Sequence, residues 1–507
     1  MKGKKLVKTA VPMMLAFGLI AGCGGGGSSS GTGTDNGKKA DGPTPISFTT
    51  ILNNGEPPDL NGPVYKEVEK RTNTKLDIKV IPSTSYGDKF NLALSSNELT
   101  DIMLIEDPFG ATTVNAIRQG AFMDLTTLLG DFKKYPNLAN IPKDIWENSK
   151  VDGKIYGVPR PRSLADHTIY IRKDWLDKLN LKMPTTTDDF YNVMKAFVEQ
   201  DPDGNGKADT FGYAGIGPSM SIVGPQLSVA FGAYKPTFEG DKMLLSWMTK
   251  GYRDYLEYAR KMYAIKALPQ EYSVLKEDKL TAAGKVGAPA SNFLNLWRFQ
   301  EDTRKADPKA ELVNVPPLKG PDGYASIKFS GYYGILAISA KTPKDKIEKL
   351  LQYLDQAASP ELNELNYYGV EGIHYTKENG KIKVNEEATK KDPFLNALIV
   401  TGIYDKYAKA VNLSAPDEIN ERQKKMVDEY MAVATPSPTL GLISDTNAKR
   451  GADLFKDRDT VMTKVITGQS PIEEWDAYVN KMKADPDVQK IMKEYADQYK
   501  LKNPDKK

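Results

Sequence analysis

Between residues 46 and 105 the chain alternates short β-like runs with helical ones, and this alternation limits the possible folds more than any other feature. Residues 46–52, 76–81 and 101–105 read as strands, and residues 63–71 and 86–94 read as helices. That order implies a parallel sheet with helices packed on it, an α/β architecture. Leu76, Ile78 and Val80 alternate with polar neighbours, as near a sheet edge, whereas Ile102-Met103-Leu104-Ile105 is continuously apolar, as in a central strand. A ligand crevice is expected beyond the carboxyl ends of such strands. The segments leaving those ends are Asn53-Asn54-Gly55-Glu56 and Glu106-Asp107-Pro108-Phe109.

A second helix-rich block starts near Trp175. Thr186 and Asp189 form a capping box, and Phe190, Val193, Met194 and Phe197 then give one apolar helical face that ends before Asp201-Pro202. Residues 335–338 read as another buried strand, followed by an amphipathic helix through Ile347, Leu350, Leu351 and Leu354. The tail from Pro416 is mostly charged helix, with Trp475 as a packing anchor. No internal repeat is visible.

The N-terminus carries Lys2, Lys4, Lys5 and Lys8 and then an apolar run over residues 10–21 that ends at Ala21-Gly22-Cys23. That run is about half of the ~20 residues a spanning helix needs, so residues 1–22 read as a cleavable lipoprotein signal peptide. Cys23 would then carry acyl chains that hold the protein to a membrane. Residues 23–44, rich in Gly, Ser and Thr, read as a flexible tether. An uncleaved N-terminal anchor helix is the alternative.

The chain of 507 residues has 69 Lys+Arg against 66 Asp+Glu. Loss of residues 1–22 removes four lysines and leaves a nearly neutral body, with no basic excess to suggest nucleic acid. Cys23 is the single cysteine, so disulfides, Cys-type zinc sites and cysteine nucleophiles are excluded. The two histidines are His167 and His374. No G-x-S-x-G elbow surrounds a serine and no G-x-x-x-x-G-K-[ST] loop occurs, so any ATP-driven step must use another polypeptide. The length suits two lobes.

Asp201-Pro202-Asp203-Gly204-Asn205-Gly206-Lys207-Ala208-Asp209 matches most of a calcium loop. Asp201, Asp203, Asn205 and Asp209 supply oxygens at positions 1, 3, 5 and 9, Gly206 makes the turn, and Lys207 offers its carbonyl. Position 12, where a bidentate Glu belongs, is Gly212, so a last ligand must come from Thr210, water or a distant carboxylate. The expected cofactor is structural Ca2+, and a metal-free Asp/Gly turn is the alternative.

The 26 Tyr, 16 Phe and 5 Trp form a further signal. Flat aromatic faces beside Asp, Glu, Asn and Arg suit sugar rings, and this mixture recurs around Trp297, around Tyr332 and Tyr333, and from Tyr368 to Tyr375 with Glu371 and His374. His374 and His167 read as hydrogen-bonding or packing residues before catalysts. Carboxylate pairs such as Glu56 and Asp107 leave a glycosidase open as a second possibility.

Several segments together resemble the extracellular solute-binding protein family 1 of bacterial ABC importers, especially its large Gram-positive lipoproteins and the alginate-binding proteins. They are Asp152-Gly153-Lys154-Ile155-Tyr156-Gly157-Val158-Pro159-Arg160, Tyr170-Ile171-Arg172-Lys173-Asp174-Trp175-Leu176, Pro184-Thr185-Thr186 before Phe190, the Asp201 loop with Phe211-Gly212-Tyr213, Tyr368-Gly369-Val370-Glu371-Gly372, and residues 468–478. The resemblance implies a two-lobed periplasmic-binding-protein-like α/β fold of the class II type, hinge-linked, with the ligand cleft between lobes. It implies crossings near residues 160–167, 315–318 and 374–376. The lobes expected are residues 45–163 with 317–375, and 164–316 with 376–507. In alginate-binding relatives the Asp201 loop corresponds to a structural calcium loop, and Thr210 departs from the acidic residue they tend to carry.

The function expected is a monomeric, lipid-anchored, extracellular receptor that performs no chemistry. It would capture an oligosaccharide and deliver it to an ABC permease pair with a separate ATPase. A secreted hydrolase or a ligand-sensing subunit of a membrane signalling system are the alternatives. Expected ligand contacts are Asn54, Glu56, Asp107, Arg160, Trp297, Tyr332 and Glu371, with Arg160 pairing a uronate if the sugar is acidic.

Overall fold

The structure, a computed structural model, describes residues 42–52, 57–214, 223–274, 279–378, 381–392, 402–412 and 414–504. Cys23, Asn54 and Glu56 lie outside the described residues. The principal strands are β1 (Thr44–Leu52), β2 (Thr74–Pro82), β3 (Ile102–Ile105), β4 (Val158–Pro161), β5 (His167–Arg172), β6 (Phe211–Ala214), β7 (Val286–Asn292), β8 (Leu312–Asn314) and β9 (Tyr332–Ile338). The helices that bear on the site are α1 (Pro63–Thr72), α2 (Ser83–Ser96), α3 (Ala111–Arg118), α4 (Thr187–Glu199), α5 (Leu296–Ala306), α6 (Lys344–Ala357), α7 (Pro360–Tyr368) and α8 (Asp445–Leu454).

The first sheet runs β2-β1-β3-β9-β4. β1 pairs in parallel with β2 and β3, as the strand–helix alternation requires. β9 then enters antiparallel between β3 and β4, with Ile335 opposite Ile105 and Ile338 opposite Ile102. β2 is the edge strand and is half-exposed, while all of β3 is buried. The second sheet runs β8-β5-β7-β6, antiparallel except for the β7/β6 pair.

Each sheet has its own core. Ile46, Phe48, Ile102, Leu104, Ile335, Leu350 and Leu354 belong to the first. Ile169, Trp175, Phe190, Phe197, Tyr213, Val315 and Trp475 belong to the second. The chain passes between them repeatedly: Leu164 packs in the first and Ile169 in the second, Ala325 in the second and Ile335 in the first, Leu442 in the second and Ile443 in the first. At the first two passages the rings of His167 and Phe329 meet edge-on at 4.9 Å.

Local sequence explains several of these elements. The Thr186 hydroxyl accepts the Asp189 N–H at 3.0 Å and the Asp189 carboxylate accepts the Thr186 N–H at 3.1 Å, so α4 starts on a closed capping box. Arg172 is fully buried, donates to Asp174 through Nε at 2.8 Å and also pairs with Asp307. Its guanidinium lies 4.5 Å from the Trp175 ring centroid, which fixes the start of the second lobe's first helical segment.

Asp101 joins β1 to α6. Its carboxylate accepts the Ser47 N–H and hydroxyl, both at 2.7 Å, and the Lys346 ammonium at 2.8 Å. Burial pushes this carboxyl up, but the Lys346 and Ser47 hydrogen bonds outweigh it and hold the group below the usual carboxylate range. A lowered native pKa contributes stability above the unfolded value of about 3.9, and that stability is lost as pH falls through the native value. Asp101→Asn should therefore destabilise the protein by ~1–2 kcal/mol at pH 7 and by progressively less below about pH 4. Urea unfolding at both pH values measures the difference, and an equal loss at both would contradict the assignment.

Candidate ligand-binding site

The loop after β3 and the first turn of β9 build a polar, aromatic wall at the carboxyl end of the first sheet. β9 carries a register shift between Tyr332 and Ile335. Gly334 makes it possible: its φ is +70°, and a Cβ there would sit 2.5 Å from the Ile105 carbonyl. The irregularity sends the two tyrosines different ways. Tyr332 donates to the Asn148 carbonyl at 3.1 Å, and the Tyr333 hydroxyl donates to the Glu106 carboxylate. Tyr86 completes the wall from α2, donating to the Leu104 carbonyl at 2.6 Å. Burial first, then the nearby Asp107 charge, pushes the Tyr332 phenol up, so it stays a neutral donor.

Two cations face the Tyr333 ring. The guanidinium carbons of Arg160 and Arg162 lie 5.6 and 5.7 Å from its centroid. Arg160 is only 8% exposed, and among the described residues its Nη1 has no hydrogen-bond partner. Burial, followed by the Arg162 charge, lowers the Arg160 pKa to about 10, so it remains a cation at neutral pH. A cavity of about 270 Å³ opens beside this wall, lined by Tyr86, Phe90, Glu106, Asp107, Thr112 and, from α8, Ala448. Arg118 of α3 ties α8 down by pairing Asp152 at 2.8 Å and Asp445 at 2.9 Å.

Of the expected contacts, Asp107, Arg160 and Tyr332 come together here. Trp297 and Glu371 stand in other surroundings. Trp297 is half-buried on α5 with the Arg304 guanidinium 6.0 Å from its ring, and Glu371 is exposed, 3.8 Å from Lys377. His374 is buried, accepts the Val370 N–H on Nδ1 at 3.0 Å and points Nε2 at Asp392, also at 3.0 Å. Nδ1 is thus the unprotonated nitrogen and Nε2 the donor, a packing arrangement. Glu106 and Tyr333 fall in segments that the sequence marked without choosing them as contacts, and Arg162 was not singled out. The paired glycines around Tyr332-Tyr333 were the available signal, because they mark a local break in strand alternation.

The Asp201 loop folds as a tight Asp/Gly turn. Asp201 accepts the Asn205 N–H at 3.1 Å and the Gly206 N–H at 2.9 Å, and Gly206 takes the positive φ that the turn needs. Lys285, from the start of β7, places its ammonium 2.9 Å from Asp203 and 2.9 Å from Asp209. The Asn205 amide also donates to Asp203 at 2.7 Å and Asp209 at 3.0 Å. Thr210 turns inward to the Phe197 carbonyl at 2.8 Å, and Gly212 packs on Met194 and Ala267. Among the described residues, no three acidic or histidine side chains converge as a metal cage. The ligand types fit calcium, while Lys285 supplies the charge that a cation would.

Two α/β bodies, each with a mixed sheet, joined by several crossings and bearing a polar cleft wall at the sheet's carboxyl end, define a bilobed binding protein. The chain belongs to the bacterial extracellular solute-binding protein family, whose profile it matches over residues 54–362. It is 32% identical to the polygalacturonan/rhamnogalacturonan-binding protein YtcQ of Bacillus subtilis (strain 168), over 98% of this chain and 99% of that one. Lipoprotein LipO of the same organism is 30% identical over 92% of this chain and 93% of its own. The fold is shared with the alginate-binding protein AlgQ2, solved without calcium ion, at a TM-score of 0.64 and 19% identity over 90% of this chain and 99% of that one. Family membership makes the chain a solute-binding protein and not an enzyme.

Proposed function

We propose that this protein is the extracellular receptor of an ABC importer for an oligosaccharide bearing uronate carboxylates. The observation that carries this reading is the Arg160–Arg162–Tyr333 cluster. A buried guanidinium nitrogen without an acceptor is costly, and a ligand carboxylate would supply the missing acceptor in bidentate form. The long alignment with YtcQ, named for polygalacturonan and rhamnogalacturonan, supports an acidic sugar.

The ligand set proposed is Asn54, Glu56, Asp107, Arg160, Trp297, Tyr332 and Glu371, joined by Glu106, Arg162 and Tyr333. The lobes that close on it are residues 45–163 with 317–375 and 164–316 with 376–507, the stretch 317–325 packing on the second. The closed complex engages a permease pair driven by a separate ATPase. Residues 1–22 are removed on export, Cys23 carries the lipid, and the protein acts as a monomer on the outer face of the membrane. Cys23→Ala should leave folding unchanged and move the protein from washed membranes to the soluble fraction, and its retention in membranes would refute the anchor.

The sugar assignment is tested by thermal unfolding with galacturonate oligomers and with neutral fructans. A ligand at 100 times its dissociation constant adds ~2.7 kcal/mol of stability. Galacturonates should raise the Tm of the native protein and fail to do so for Arg160→Gln and for the more exposed Arg162→Gln. A shift with fructans alone would overturn the acidic-ligand reading.

Calcium, in this proposal, enters the Asp201 loop by displacing the Lys285 ammonium, so its affinity falls in the ~0.1–1 mM range of extracellular modules. Lys285→Met should lower the Tm in chelator and raise it more steeply than the native protein does on adding calcium. Equal curves with and without calcium for both proteins would mean that the loop is a metal-free turn.

A further inference from the structure

A second hollow lies beside the crossing segments, and nothing above assigns it a role. It holds about 400 Å³ and is lined by Asn363, Glu364, Tyr367 and Tyr368 of α7, by Lys377, and by Asp405 from residues 402–411. That volume is within the range of small-ligand pockets.

Its aromatic side is open. Tyr367 is 46% exposed although it is large and largely apolar, and its ring lies 6.3 Å from that of Tyr368, which in turn lies 5.7 Å from Tyr375. A large aromatic ring left exposed at the end of such a cluster is a feature that solvent alone does not favour. Its polar side is fixed. Glu364 accepts the Tyr375 hydroxyl at 2.5 Å and pairs with Lys377 at 2.5 Å, which holds its carboxyl below the usual range. Asp405 uses one oxygen to accept the Tyr407 N–H at 2.8 Å. Oriented acceptors beside an open aromatic face match a sugar ring, whose C–H face stacks and whose rim of hydroxyls donates.

Arg162 relates the hollow to the cleft wall. Arg162, 5.7 Å from the Tyr333 centroid, also interacts electrostatically with the Tyr367 phenol. Arg162 is thus the residue common to the surroundings of Tyr333 and Tyr367.

We infer that Tyr367 and Tyr368, with Glu364 and Asp405, form an outer sugar subsite that takes units of the oligosaccharide beyond those held at Arg160. This rests on the oligosaccharide reading above and adds that the protein selects for chain length. Short ligands fill the Arg160 wall alone, and longer ones gain a stacked unit on Tyr367.

The test is isothermal titration of native protein, Tyr367→Ala and Tyr367→Phe with di-, tetra- and hexagalacturonate, repeated with a fructan series. Tyr367→Ala should weaken the longest ligand by about tenfold, as loss of one stacked ring does, and leave the shortest unchanged. Tyr367→Phe keeps the face and should bind the long ligand as the native protein does. Equal loss for short and long ligands, or loss for neither, overturns the subsite while leaving the oligosaccharide reading intact. Failure of the native protein to bind any member of either series overturns that reading and the subsite with it.

Discussion

The antiparallel insertion of β9 between β3 and β4 is the interaction on which the rest of the molecule depends. Without it the first sheet would stop at β3, leaving the fully buried Ile102–Ile105 strand as an unpaired edge. The partner comes from residues 332–338, so the first lobe is complete only after the chain has built much of the second and returned. That return forces the lobes to share crossing segments. It also delivers Tyr332 and Tyr333 to the carboxyl end of β3, where the Glu106 and Asp107 loop begins. Fold closure and site assembly are therefore one event, set by the close approach of Gly334 to the Ile105 carbonyl.

The crossings explain how two bodies with separate cores remain coupled. His167 meets Phe329 ring to ring, and Tyr430, buried from a late helix, donates to the Val315 carbonyl at 3.1 Å while its ring packs edge-on against Phe293 at 5.5 Å. These contacts lie on the second body's sheet and at its junction with the first. A hinge built this way bends at short extended segments between packed anchors, and the cores on either side move as wholes.

The first sheet was largely legible because its signals are local. Periodicity located three parallel strands and two helices, and the polarity of Leu76, Ile78 and Val80 marked the edge strand. The capping box at Thr186, the buried Trp175 and the buried Trp475 were equally readable. β9 as a strand was visible, yet its place between β3 and β4 was not, because pairing across more than 200 residues leaves no trace in local pattern. The cleft wall was less legible for the same reason. Arg160 and Asp107 sit beside strand ends that sequence can find, but the choice of Tyr333 over Tyr332 for the Glu106 contact depends on a bulge, and Trp297 and Glu371 were chosen by composition, which has no geometry in it. Lys285 is a further case: it is 76 residues from Asp209 and still provides the loop's counter-charge.

Comparison of two buried arginines distinguishes the cleft wall from a simply packed surface. Arg172 is fully buried and fully used, forked between Asp174 and Asp307 with Trp175 against its face. Such pairing is what a structural arginine needs, because the desolvation of a guanidinium is offset only by close acceptors. Arg160 is buried to nearly the same degree, but it faces a second cation and the Tyr333 ring, it feels the Glu106 charge without pairing with it, and among the described residues it has no ion pair. Among the described residues, acceptors are supplied for one and not for the other. Since the chain as a whole is nearly neutral, this cannot reflect a general excess of positive charge. Glu106 and Asp107 stand on the same wall, but among the described residues neither pairs with Arg160, which leaves a guanidinium nitrogen for a ligand acceptor of the kind proposed above.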